Sequence, residues 1–182
     1  MYLTKEREVR KMAKVKGIKK LNKAICAAFA DFGITGMRLT DDYGYYLSDG
    51  TIDYRLTEGH IEDKWFNEFI KERFGYNVKN TFMISILHEI GHHMTLADIY
   101  ENDFVYDFCM KEKKKITKKM KKADKKKAKK LEWRYFNLPD EIAATAWAVD
   151  YAKKNKKELK KIWENVQAAL LDFYNKNITE EG

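Results

Sequence analysis

The chain has 182 residues, 45% of them hydrophobic, with 10 Phe, 11 Tyr and 4 Trp, which is material for one sizeable core and rules out wholesale disorder. Its net charge of +8 is local: residues 111–130 hold 13 lysines against Glu112 and Asp124, a net +11, so the rest of the chain carries −3. No apolar run is long enough for a membrane span, the first residues lack the apolar stretch of a secretory leader, and Cys26 and Cys109 form no motif, so the expectation is a cytoplasmic, non-membrane protein with ordinary thiols.

In chain order, the segment before Gly17 is charged and reads as a helix extension or an arm. Residues 18–32 space Ile18, Leu21, Ile25, Cys26 and Phe29 as one helical face, with Gly33 as a stop. Residues 34–57 change character. Tyr45–Thr57 reads as two antiparallel strands around a Ser-Asp-Gly turn. In Thr51–Thr57, Ile52, Tyr54 and Leu56 share one face and Thr51, Asp53, Arg55 and Thr57 the other. Helices follow over 62–74, over 81–97 with Asn80 as N-cap, and from about 103 through the lysines to Phe136. Pro139 suits the first position of the next helix, and Asp140 and Glu141 suit its first turn. The last helix covers about 156–176. The fold class expected is α+β: one mostly helical domain over 1–182, a small antiparallel sheet before the histidine helix, and a lysine-rich helical insertion at about 111–130.

Three of the four histidines lie within six residues, in Ile86–Met94. His88-Glu89-Ile90-Gly91-His92 is an HExxH pattern, for which chance in a chain of this composition gives roughly 0.005 matches. Histidines four apart stand one above the other on a helix, so both imidazoles can reach one zinc ion. Glu89, roughly 100° round, stands beside the ion, where it can take a proton from a water. The apolar stripe of this helix is Met83, Ile86, Leu87, Ile90, Met94 and Ala97. The midpoint of His88 and His92 falls about 160° from it, so the pair faces water or a cleft. Gly91 would let another backbone or a substrate come close.

Catalytic zinc takes three protein ligands. No histidine follows His93, so the third is expected to be a carboxylate, with His60 an unusual upstream alternative. Asp98 needs a helix break after His92, at Thr95, and on a continuing helix it points about 100° away. Glu141 is favoured because Ala144, Thr145, Ala148 and Ala152 share its face, all small, and small residues let two helices approach; Asp140 is its neighbouring alternative. His60, His93, Tyr135 and Tyr151 are candidates to stabilise an oxyanion.

His88–His93 followed by Glu141-x-x-Ala144-x-x-Trp147-Ala148 resembles the ImmA/IrrE family of small zinc metallopeptidases, over about residues 80–150. The resemblance implies His88, His92 and Glu141 on Zn2+, Glu89 as catalytic base, and a protein substrate such as a transcriptional repressor. The chain departs from the family's usual Glu-x-Glu-Ala-Asn run at Ala143 and Thr145. A different class of function rests on Lys111–Lys130: a non-catalytic module docking to nucleic acid or an acidic partner.

Overall fold

A computed structural model describes residues 17–56, 60–100 and 103–178; the charged segment before Gly17 and Thr57 lie outside them. Contacts gather in two compact units, 1–56 with 155–182, and 57–154. The α+β, mostly helical class is what is observed. Among the described residues no helix is long and apolar enough to cross a membrane.

The first unit begins with α1 (Ile18–Ala28) and a short 3-10 turn (Ala30–Phe32) closed by Gly33. Strands β1 (Gly36–Leu39), β2 (Gly44–Tyr46) and β3 (Thr51–Tyr54) follow. The expected antiparallel pair is β2–β3, whose turn ends at Gly50 with φ 64°. That left-handed conformation favours glycine. The sheet as a whole is mixed, because β1 joins the other side of β3 in parallel, order β1-β3-β2. Having neighbours on both sides, β3 also buries both faces. Thr51 and Asp53, on the face opposite Ile52 and Tyr54, are 9% and 8% exposed. Asp53 is satisfied by Arg38 directly opposite on β1, Nε to Oδ1 2.7 Å. The C-terminal helix α8 (Lys156–Ile178) packs on α1 with Val166 and Phe173 buried.

The second unit is helical: α2 (Ile61–Phe74), α3 (Thr81–Met94), α4 (Leu96–Tyr100), α5 (Asp103–Met120), α6 (Lys125–Phe136) and α7 (Pro139–Lys154). Asn80 caps α3 as expected, accepting from Met83 N at 3.0 Å. Two expectations are corrected. The histidine helix ends at Met94 rather than running to residue 97; Thr95 breaks it, its hydroxyl bonding back to Gly91 O at 2.8 Å. The lysine stretch is two helices rather than one, turning at residues 121–124, where Asp124 accepts from Lys127 N at 2.8 Å and caps α6. Ile116, Leu131 and Leu138 close that hairpin's core, with Met120, Ala123 and Tyr135 packed against them.

Helix α3 is the centre of this unit. Met83–Gly91 is buried without interruption, and Ile86, Leu87 and Ile90 are at most 1% exposed. Each such side chain contributes about 1.5–3 kcal/mol relative to leaving it in water. The helix is covered all round, and its most extensive partner is α7.

Candidate metal centre

Helices α3 and α7 meet at small residues. Gly91 on α3 faces Ala144 on α7, and Ala144 and Ala148 are 0% exposed. A Cβ on Gly91 would fall 2.9 Å from Ala144 Cα and closer still to its carbonyl oxygen. The glycine thus serves close approach of a second backbone. The expectation that His88 and His92 face water or a cleft gives way to a packed answer: they face α7. His88 is 7% exposed, and the His92 side chain is the more open at 16%.

From α7, Glu141 reaches the pair. It is 3% exposed. Its Oε2 lies 3.1 Å from His88 Nε2 and its Oε1 lies 3.5 Å from His92 Nε2. These three residues form a group able to hold a metal ion, with one ligand atom from each lying within 4.8 Å of the others. Ligand atoms on a tetrahedral ion with bonds of ~2.0–2.2 Å stand ~3.3–3.5 Å apart. The separations of 3.1 and 3.5 Å run to different oxygens of Glu141, and the three ligand atoms as a set lie within 4.8 Å, close enough for small side-chain shifts to bring them onto one ion.

Thr145 decides which histidine nitrogen is available. Its hydroxyl donates to Glu141 O at 2.7 Å, the turn before it on α7. A carbonyl only accepts, so the hydroxyl proton is committed there. His88 Nδ1, 3.0 Å from Thr145 Oγ1, is then the donor. In a neutral imidazole this leaves the Nε2 lone pair aimed at Glu141 Oε2. Burial alone would raise the Glu141 pKa, but His92, Lys113 and His88 together hold it well below the usual carboxylate range. At 3.1 Å the two atoms are joined either by a proton on Nε2, the state in which His88 lowers the Glu141 pKa, or by a metal ion in the proton's place. Two imidazoles and a carboxylate are a donor set that fits a divalent metal such as zinc on chemistry.

Glu89 is buried on α3 beside the histidines and stands outside the three-residue group. Phe66 of α2 lies edge-on to His88, centroids 5.1 Å apart, and the two imidazoles are themselves edge-on at 4.7 Å. The alternatives fall away from the group among the described residues. His60 sits at the head of α2 near Glu62, 3.8 Å away. His93 and Asp140 are not members. The Asp98 side chain lies outside the described residues; its backbone is on α4, past the break at Thr95. Of the oxyanion candidates, Tyr151 stacks on Trp147 at 5.3 Å. Tyr135 belongs to the site: burial first, then Glu141, with Glu89 and Asp140, pushes its phenol pKa up.

Lys113 is the residue at this group that the sequence reading missed. It comes from the lysine-rich stretch, but its side chain turns inward and pairs with both Glu141 Oε1 and Asp140 Oδ2. Burial opposes its charge, while Glu141, Tyr135 and Asp140 outweigh that and raise its pKa. Its ammonium lies 5.3 Å from the Tyr135 ring centroid. A signal existed: Lys113 falls between Cys109 and Ile116, four residues after one and three before the other, on the inward stripe of α5. Cys109 itself, pushed up to about 11 chiefly by burial, and Cys26 are free thiols, as read from the sequence. No family model, curated protein or solved structure matches the chain.

Proposed function

We propose that the chain is a cytoplasmic zinc metallopeptidase of the HExxH type that hydrolyses a protein substrate. The observation that carries this is the convergence of His88 and His92 from one helix and Glu141 from another on one point, with Glu89 beside them. The resemblance to the ImmA/IrrE family supports the same reading and suggests a repressor as substrate.

Zinc, when bound by His88, His92 and Glu141, supplies an acidified water and a polarised substrate carbonyl. Glu89 takes the proton from the attacking water and passes it to the leaving amine. Thr145 keeps His88 in the tautomer that offers Nε2. Tyr135, held as the neutral phenol, has a proton to donate toward the developing oxyanion.

The expected result is about one zinc per chain, lost on Glu141→Ala. Glu89→Gln should keep the zinc and lower peptide cleavage by about 10²–10⁴-fold. Cleavage persisting in a zinc-loaded Glu89→Gln protein overturns this mechanism. Undiminished zinc in Glu141→Ala removes Glu141 as a ligand.

A second reading is favoured by Lys113, whose ammonium already neutralises Glu141 without any metal. In that reading the group is a buried charge cluster, and the protein acts by binding through its lysines. Metal-free protein with undiminished stability, together with steeply salt-dependent DNA binding, would select it.

A further inference from the structure

We propose that a cleft between α2 and α6 docks an acidic peptide segment that carries an apolar anchor. The inference does not depend on the metal centre. The cleft has a volume of about 730 Å³ and is lined by Trp65 and Glu72 of α2 and by Lys125, Lys126, Lys129, Lys130 and Trp133 of α6. That volume holds a large side chain together with its neighbours.

The lining has two chemistries. Trp65, 6% exposed, and Trp133, edge-on to the buried Phe69 at 5.6 Å, give an apolar interior. Trp133 Nε1 is itself buried without a hydrogen-bond partner, so the indole meets the cleft through its carbon surface. Around the interior stand lysines at spacings of one and four on α6, which place them along one side of the helix. Their methylene stems extend the apolar wall while the ammonium groups ring the opening. Lys129 is paired with Glu68. Among the described residues Lys125, Lys126 and Lys130 have no acidic partner. Three free cations against Glu72 leave the rim positive.

That combination selects its ligand. An apolar side chain enters between the tryptophans, and flanking carboxylates meet the lysines on the α6 side. Glu72, on the opposite wall, sets direction, since it repels acid there. Single-stranded nucleic acid fits less well: base stacking needs an open ring face, Trp65 is recessed, and the rim holds no arginine.

The test is fluorescence anisotropy with the full-length protein and a short labelled peptide of aspartates and glutamates around one phenylalanine. Binding is expected, with a change in intrinsic tryptophan emission. Lys125→Gln/Lys126→Gln/Lys130→Gln should weaken it about tenfold or more. Lys114→Gln/Lys118→Gln/Lys119→Gln, an equal charge loss on exposed positions of α5, should leave it within about twofold. Equal effects of the two triple variants, or equal binding of a peptide whose phenylalanine is replaced by serine, would reduce the cleft to general lysine attraction and overturn the proposal. So would a single-stranded oligonucleotide that displaces the peptide at lower concentration than unlabelled peptide does. Because metal-free protein serves equally, failure here leaves the peptidase reading untouched, and failure of that reading leaves this one standing.

Discussion

Adding one methyl group at Gly91 tests how closely the two site helices meet. In an isolated helix, Gly→Ala stabilises by about 1 kcal/mol. Here the new Cβ would meet the backbone of Ala144, which cannot rotate away as a side chain would. Gly91→Ala is therefore expected to destabilise by about 1–3 kcal/mol in urea unfolding. A midpoint that rises instead would show that the helices separate at little cost. Thr145 makes a second prediction at this scale. Thr145→Val keeps the shape but removes the acceptor for His88 Nδ1. If zinc is the ion, affinity measured by competition with a chromogenic chelator should fall about 10–100-fold. Unchanged affinity would mean that the tautomer is fixed by something other than Thr145.

At the scale of elements, the site is a pair of helices plus one side chain delivered by a third. Helix α3 offers His88 and Glu89 on one turn and His92 on the next, and α7 offers Glu141 and Thr145 one turn apart. Helix α5 contributes Lys113, and its own inward stripe runs through Cys109, Glu112 and Ile116. Glu112 is held there by Lys115, 2.8 Å away, and by Arg134 of α6; its hydrogen bond with Lys115 is the first cause that lowers its pKa. So the lysine-rich stretch is an α-hairpin with a built interior and a basic exterior. Its turn depends on Asp124. Removing that cap, Asp124→Ala, should cost about 1 kcal/mol, and amide exchange should quicken first in the opening turn of α6. Exchange unchanged there would show that the apolar seam alone sets the turn.

For the whole molecule, the chain returns on itself: residues from both ends build one unit, and the middle of the chain builds the other. Lys20 of α1 and Asp172 of α8, 152 residues apart, are 3.1 Å from each other. The candidate metal group lies wholly within residues 57–154. Zinc at about 100 times its Kd should stabilise the folded state by about 2.7 kcal/mol. That gain should be read in slower amide exchange of α3 and α7. No protection gained in either helix at saturating zinc would contradict a centre built between them.

Period and punctuation made much of the chain legible. The 3.6-residue spacing located α1, α2 and α7, and Asn80 and Pro139 marked two helix starts, because caps and prolines act on the nearest turn alone. The four-residue spacing of His88 and His92 put the two imidazoles on one face for the same reason. What the sequence left open depended on partners distant in the chain. The parallel β1–β3 pairing is one that alternation along β3 cannot reveal, and it sets β3 between two neighbours with both faces buried. The stop at Thr95 and the turn before Asp124 interrupt stripes that periodicity alone would continue. Glu141 was favoured over Asp98 and Asp140 by its face of small residues, and the close contact at Gly91 and Ala144 brings α7 onto the histidines as that face implies. Lys113 was one lysine of 13 in its segment, and only the packing of α5 distinguished it. Local rules determine which side chains share a face; which face meets which is decided by burial summed over the whole fold.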